Sequence, residues 1–296
     1  MARAARQYTV FGRATPDQKR LLIQSMKQGG HTVAMTGDGV NDVLAMKNAD
    51  CSIAMASGSE AAAGVSDLVL LDSDFSGMPH VVAEGRRVTN NIERSASLFL
   101  VKNIFSFLLS VISLISVSLY PLKPVQSSLI SGLMIGFPSF VLALEPNHDL
   151  VHGKFLRNVL YRAAPAALTA VVLVEWCMLF TEAFKLPHEM SSTMCFFLFA
   201  FAAYLMLYRV CKPMNIWHVL LFVGIGLAFV GAIVLFHDWF QISVVDWKGI
   251  LVLSPLMLLT LSIDKAFCRL FEKCSQFKNR CISRIQSKSR KHKKQK

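Results

Sequence analysis

The 296-residue chain is 53% apolar and 17% charged, yet 31 Lys and Arg against 19 Asp and Glu leave it with a net charge of +12. Disordered chains carry fewer apolar residues, and 16 Gly with 10 Pro exclude collagen-like or Pro/Gly-dominated sequences. A mean hydropathy of +0.45 is too high for a wholly soluble globule and calls for long apolar stretches that span a membrane.

Residues 1–13 are basic but lack an apolar core segment, so no cleavable leader is expected. A short strand is expected at Tyr8–Phe11. Thr15-Pro16-Asp17-Gln18 then combines a capping Thr, Pro at the first helical position and Gln three residues after the cap, which predicts a helix over Pro16–Gln28 ended by Gly29-Gly30. His31–Met35 suits a buried strand, followed by a Gly-rich turn at Thr36–Gly39 and a helix over Asn41–Asn48. Cys51–Met55 and Leu68–Leu71 are further strands, with a short Ala-rich helix near Ser59–Gly64 between them. Strands alternating with helices argue for a parallel sheet, here of only three or four strands.

From Phe75 onward the pattern is helical. Val81–Ser97 is polar and contains no Pro, and it runs directly into the apolar stretch Leu98–Leu119, so one long helix is expected, a stalk entering the bilayer. Five more apolar stretches follow: Val125–Leu144, Val159–Phe184, Ser191–Tyr208, Ile216–Phe236 and Lys248–Ile263, the last being the shortest. Each approaches the ~20 residues that a helix needs to cross ~30 Å of hydrocarbon. Lys154, Arg157, Arg209, Lys212 and the tail lie on one side of these spans, and only Lys123, Lys185 and Lys248 on the other. The positive-inside rule then places both termini in the cytoplasm, in the plasma membrane. Seven cysteines are scattered without a CxxC pair, so neither a zinc site nor a disulfide framework is indicated. His148 and His152, four apart in a loop, are expected to face solvent.

The segment that carries chemistry is Thr36-Gly37-Asp38-Gly39-Val40-Asn41-Asp42, directly after a predicted strand. The carboxyl end of a parallel strand is where α/β sheets bind ligands, and glycines let backbone approach a phosphate closely. Asp38 and Asp42 are placed to aim two carboxylates at one point. One or two carboxylates plus phosphate oxygens and water is a typical Mg²⁺ environment. An isolated Gly-Asp-Gly is more often only a turn that caps a helix.

The longer string, with Ala45-Met46-Lys47 and Ala49–Met55 after it, closely resembles the hinge motif of the P-type ATPases, ion pumps of the haloacid-dehalogenase superfamily. Gly12–Lys19 resembles their conserved-lysine segment, and Asp67–Phe75 the strand before the stalk. Glu84-Gly85-Arg86-Arg87 with Asn90-Asn91-Ile92 resembles the stalk of the fifth membrane helix. Gly136-Phe137-Pro138 and Glu145-Pro146-Asn147 match the break and the cytosolic end of the sixth. The resemblance implies a partial haloacid-dehalogenase-like, Rossmann-type α/β domain followed by a transmembrane bundle of six helices. It implies half a phosphorylation domain at 1–75, a stalk at 76–97, the bundle at 98–264 and a polybasic cytosolic tail at 265–296. It gives Asp38 as the Mg²⁺ ligand, Asn41 and Asp42 as supports of phosphate and metal, Thr36 and Gly37 as the phosphate-proximal loop, and Lys19 as the contact to the phosphoryl group, with ATP as the substrate of the complete pump. A cation in the first helical turn opposes the helix dipole, which favours a functional reading of Lys19 over a stabilising one.

The phosphorylated Asp-Lys-Thr-Gly-Thr string, the Thr-Gly-Glu of an actuator domain, a nucleotide-binding domain and four membrane helices find no match here. The chain is therefore expected to correspond to roughly the last third of a pump. Polar residues inside membrane spans are candidates for the ion pathway: Lys102, Asn103, Ser106, Ser131, Pro138 at the helix break, and Glu175. Asn103 falls where calcium pumps carry an ion-binding Asn. Ser106, Ser131, Met134 and Ile135 replace the remaining ligands of that cage, which puts a calcium assignment in doubt. Lys102 either supplies a built-in counter-charge or snorkels to the interface.

The favoured reading is the C-terminal part of a bacterial-type, ATP-driven cation pump that is incomplete for catalysis alone. The alternative is a non-catalytic membrane subunit or pseudo-pump that assembles with a separate N-terminal half. A membrane-anchored phosphatase fits poorly, because Asp72-Ser73-Asp74 lies at the wrong end of the fold. Residues 265–296 hold 12 Lys and Arg and one acid, Glu272, so nearly all the net charge sits in the tail. The tail is read as a partner for anionic lipids rather than nucleic acid, with a solvated, disordered appendage as the equal alternative.

Overall fold

Thr15 starts the first long helix by the expected reciprocal device: its Oγ accepts from the Gln18 N–H, and the Gln18 side chain accepts from the Thr15 N–H at 3.0 Å. This computed structural model describes residues 3–294 apart from residue 152, with side-chain surroundings described through Cys274. The chain divides into two units, Met1–Glu84 and Gly85–Lys296.

The N-terminal unit begins with α1 (Ala4–Gln7) and α2 (Pro16–Gln28). The strand expected at Tyr8–Phe11 is not formed. Tyr8, Val10 and Phe11 are exposed, and among the described residues no strand pairs with them, so apolar character alone does not make a strand there. β1 (Ala34–Gly37), β2 (Cys51–Met55) and β3 (Leu68–Leu70) form a parallel sheet in the order β1-β2-β3, with Thr36 beside Ile53 and Ile53 beside Leu68. β1 starts later than the apolar run suggests because Val33 is engaged outside the ladder. Its N–H donates to the Asp50 carboxylate at 2.9 Å, and its C=O accepts from the Asp50 N–H at 2.8 Å. Thr36 and Gly37 consequently end the strand instead of opening the turn. The single helix expected over Asn41–Asn48 is a 3-10 turn (Val40–Asp42) followed by α3 (Val43–Met46). α4 (Glu60–Ala63) is capped by Ser59. Ile23, Val33 and Ala45 pack on one side, and Met46, Ala54 and Ala62 form a second small cluster.

The C-terminal unit is helical. α5 (Met78–Ser116), which begins in the N-terminal unit, is followed by α6 (Pro124–Leu129), a π-helical segment (Ile130–Gly136) and α7 (Phe137–Ala143). Next come α8 (Phe155–Ala183), α9 (His188–Val210), α10 (Ile216–Phe236) and α11 (Trp247–Lys294). Six helical stretches are long and apolar enough to cross a membrane, the second of them running through α6, the π segment and α7 over Pro124–Ala143. The break expected at Pro138 is absorbed without interrupting the helix. Proline has no N–H for a carbonyl one turn back, and the chain widens so that the Phe137 N–H reaches Gly132 C=O, five residues back.

With lipid as apolar as leucine, helices gain by close van der Waals packing more than by apolar burial, which favours small residues at contacts. Ala163, Ala166, Ala167 and Ala170 of α8 and Ala200, Ala202 and Ala203 of α9 are buried in one core. Phe105 of α5 stacks on Phe199 of α9, with centroids 4.0 Å apart and planes 9° from parallel. α10 buries His218, Ile225 and Phe229, packs Leu221, Phe222 and Ile233 partly against the core, and presents its remaining large apolar side chains outward. The last span, expected to be the shortest, begins the longest helix, 48 residues. Nothing after Pro255 breaks it, since residues 256–296 contain no Gly or Pro. The basic side chains from residue 275 onward lie outside the described residues.

Candidate functional site

The loop leaving β1 is held from two sides. The Asp38 C=O accepts from the Ser59 N–H at 2.7 Å, so the turn before α4 sits directly against it. Gly58 makes that approach possible: a Cβ there would lie 2.3 Å from the Asp38 carbonyl oxygen. Gly37 is required for a different contact, because its Cβ would fall 2.5 Å from that of Asp42. By contrast, a Cβ on Gly39 would meet nothing closer than the Asn41 nitrogen at 4.0 Å. Of the two glycines flanking Asp38, one serves internal packing and the other faces open space.

Lys19, in the first turn of α2, donates from Nζ to Asp42 Oδ1 at 2.7 Å. Asp42 is buried and Lys19 partly exposed, at 9% and 35% side-chain exposure. The structure thus joins two of the sequence-derived residues. Asp38 and Asn41 are exposed and Thr36 is half-buried. Asp38 is exposed at the carboxyl end of the sheet, while the carboxylate of Asp42 is turned to Lys19. Hard oxygen donors at an exposed loop fit Mg²⁺, which keeps several waters and takes one or two carboxylates. Among the described residues no group of three or more His, Cys, Asp or Glu forms an all-protein metal cage. Gly58 was not read from the sequence, and Ser59 was read only as the start of the short helix. Their only signal was the Ser-Gly-Ser turn directly after β2.

At the opposite end of the sheet, carboxylates tie down strand starts. Asp67 accepts from the Ser52 N–H at 2.7 Å and from its hydroxyl at 2.8 Å, which holds its carboxyl below the usual range. Asp50 is lowered in the same direction, first by the Val33 N–H and then by Lys27.

In the helical unit, Lys102 of α5 donates to Ser131 Oγ in the π segment at 2.5 Å, and Ser131 donates to the Ser127 C=O at 2.6 Å. Pro138 is buried, Ser106 and Glu175 are half-buried, and Asn103 is exposed. Lys102 and Ser131 are the only pair of these candidates joined by a described hydrogen bond. His148 is exposed, and His152 lies outside the described residues.

A larger polar cluster lies where α5, α7, α8 and α10 meet. Arg94 Nη1 donates to Glu145 Oε2 at 2.6 Å, and His218 Nε2 lies 3.0 Å from the same oxygen. Glu93, next to Arg94, pairs with Arg162 at 3.3 Å and accepts from Asn158 at 3.1 Å. Asn91 donates to the carbonyls of Ala143 and Glu145, which have no helical partner beyond the end of α7. Arg209 of α9 reaches Asp264 of α11 at 3.2 Å and also contacts Cys268. Sequence reading treated Glu93 and Arg94 as stalk polarity and passed over His218, since partners 51 and 73 residues away leave no local pattern.

No family model matches the chain. A probable cation-transporting ATPase, exp7, of Streptococcus pneumoniae is 43% identical over 227 residues, 74% of this chain and 29% of that protein. The calcium-transporting ATPase CtpE of Mycobacterium bovis is 40% identical over 239 residues, 75% of this chain and 30% of its own length. CtpE of Mycolicibacterium smegmatis is 38% identical over 246 residues, 78% and 31% of the two chains. The chain therefore spans less than a third of the length of these relatives. A small parallel sheet with Lys19 and Asp42 joined at its carboxyl end, six membrane-length helices and these relatives agree: by sequence the chain corresponds to a C-terminal portion of a cation-transporting P-type ATPase of the bacterial kind.

Proposed function

We propose that the chain supplies the Mg²⁺-facing and phosphate-facing half of the phosphorylation site, together with ion-pathway helices, of an ATP-driven cation pump in the plasma membrane. The Lys19–Asp42 pair beside the exposed Asp38 carries this reading. Lys19 is costly at a helix N-terminus, and Asp42 holds its ammonium at the mouth of the loop where a phosphoryl group would need a cation. Gly39, which no contact within the chain requires, leaves room for close approach of that group. Thr36 and Asn41 line the same loop as hydrogen-bonding groups, and Asp38 provides the carboxylate for the metal. Mg²⁺, when bound, supplies neutralisation of phosphate charge during transfer.

Within the membrane, Lys102 tethered to Ser131 links α5 to the π segment and places a fixed positive charge on the proposed pathway with Asn103, Ser106, Pro138 and Glu175. CtpE is named for calcium, but the candidates on α5 and the π segment here include no carboxylate, whereas Ca²⁺ takes six to eight oxygens and favours acidic ligands. The pathway is therefore assigned to a cation of unspecified identity. Both termini are assigned to the cytoplasm by the Lys and Arg distribution, and the basic tail to anionic headgroups.

The test is phosphoenzyme formation from labelled ATP and Mg²⁺ in a pump that contains this chain. Asp38→Ala is expected to abolish it, and retained label would remove Asp38 from the metal site. The chain by itself is expected to take up no acid-stable label, because it contains no Asp-Lys-Thr-Gly-Thr nucleophile string. The second reading is a membrane subunit that assembles with a separately encoded catalytic partner. The nucleotide sequence upstream of Met1 separates the two. An in-frame continuation encoding the nucleophile favours a single pump, and a separate frame favours the subunit.

A further inference from the structure

His218 is buried, at 4% exposure, in the first turn of α10, and each of its ring nitrogens faces an acceptor. Nδ1 is 2.9 Å from the Pro213 carbonyl oxygen, and Nε2 is 3.0 Å from Glu145 Oε2. A backbone carbonyl has no proton to give, and neither does an ionised carboxylate. A ring with one N–H satisfies one of these contacts and turns a lone pair on the other. Only the imidazolium donates to both. The same Glu145 oxygen also accepts from Arg94, so one carboxylate joins α5, the end of α7 and the start of α10.

We propose that the Arg94–Glu145–His218 cluster is a proton-binding latch: with a proton on both ring nitrogens the ring bridges Pro213 and Glu145 and fastens α10 to α5 and α7, and loss of one proton turns a lone pair on one of the two acceptors and weakens that hold. The surrounding charges make the latch sensitive. Arg94 and the N-terminal end of α10, where Asn215 caps the His218 N–H at 2.8 Å, both oppose a positive ring. Glu145 and, more weakly, the Pro213 carbonyl favour it. Glu93 lies beside Arg94 but is turned to Arg162 and Asn158. The neighbouring Cys211 thiol is pushed up to about 11 by burial and stays neutral. His148 and Asp149 line a cavity of about 200 Å³ together with Arg94, Glu145 and His218, so the cluster borders a polar cavity. Histidine is the side chain whose charge ordinarily changes between about pH 5 and pH 8. A latch held by the protonated form contributes stability at the acidic end and loses it as pH rises. The inference does not rest on the pump reading.

The test uses the whole chain in lipid nanodiscs with ¹⁵N-labelled histidine. The His218 ring is identified by the signal absent from His218→Gln or, should that variant not accumulate, by the signal displaced in Glu145→Gln. The expected result is a ring protonated on both nitrogens near about pH 6 that loses one proton toward about pH 8, with the thermal unfolding midpoint falling by a few degrees over the same interval. Glu145→Gln is expected to flatten that fall, because an amide can either accept from or donate to the ring. A His218 ring whose protonation is constant across the interval overturns the proposal. So does an unchanged stability profile in Glu145→Gln.

Discussion

The two units find partners for their buried polar groups by opposite means. In the N-terminal unit the strands are three to five residues long and leave N–H groups beyond the ladder. Carboxylates in contact with solvent take them up, as Asp50 does for Val33 and Asp67 for Ser52. In the helical unit most of the backbone is satisfied within each helix, as lipid demands, and the charged side chains that are buried pair across helices. Glu93 with Arg162, Glu145 with Arg94 and His218, and Asp264 with Arg209 do so across different helices. The first unit is therefore governed by backbone geometry, and the second by side-chain complementarity.

The sharpest way to break the first half of that contrast is Gly58→Ala. The new Cβ would sit 2.3 Å from the Asp38 carbonyl oxygen, a backbone atom with no freedom to swing away. A loss of about 3 kcal/mol is expected, at the upper end for overpacking. Amide exchange of β1 and β2 should accelerate accordingly in the whole chain. Gly39→Ala, facing open space, is the control that should leave exchange nearly unchanged. Equal effects for the two would show that loop geometry does not govern this unit.

The second half is addressed by Ala167→Leu. Ala167 is fully buried in the core shared by α8 and α9, where small residues let the helices approach. About 2 kcal/mol of destabilisation is expected from three added carbons in a packed site. It should appear as a lowered unfolding midpoint in nanodiscs, with amide exchange in the N-terminal sheet unaltered. A tolerated leucine would mean that this helix contact is loose.

A smaller effect is expected from Lys19→Met, which leaves the buried Asp42 without its cation. Because Lys19 is a third exposed, solvent screening limits the loss to about 1 kcal/mol. Lys19→Arg should recover part of it. A variant as stable as the parent would make the pair irrelevant to folding and sharpen its assignment to phosphate chemistry.

Local patterns were legible in the sequence and long-range partnerships were not. The Thr15 capping box, β2 at Cys51–Met55 and α10 at Ile216–Phe236 fall where their residues require, since each is specified by neighbours in the chain. Tyr8–Phe11 has strand-like residues but, among the described residues, no strand pairs with it, and strandedness is a property of the pair. Gly37 and Gly39 look alike in sequence, yet only the structure separates the glycine that admits Asp42 from the one that faces outward. The charged cluster at Arg94 was invisible because its partners come from α7 and α10, with no spacing rule to link them.

The smallest effect is the one that sets the two units against each other by pH. Asp50 and Asp67 are held below the ordinary value of 3.8 by hydrogen bonds from backbone N–H groups. A carboxyl lowered on folding contributes stability that is present above its ordinary value and lost as pH falls through the lowered one. The sheet should therefore be unaffected by mild acid and weaken only below 3.8, whereas the histidine latch weakens as pH rises. The Val33 and Ser52 amide signals report the two carboxylates directly. They should hold steady as pH falls toward 3.8 and move only beneath it, and Asp67→Asn should remove the movement at Ser52 while leaving Val33 unchanged. Movement at both amides well above 3.8 would mean that the strand starts are not fixed by these carboxylates, and the division between a backbone-governed and a side-chain-governed unit would lose its first member.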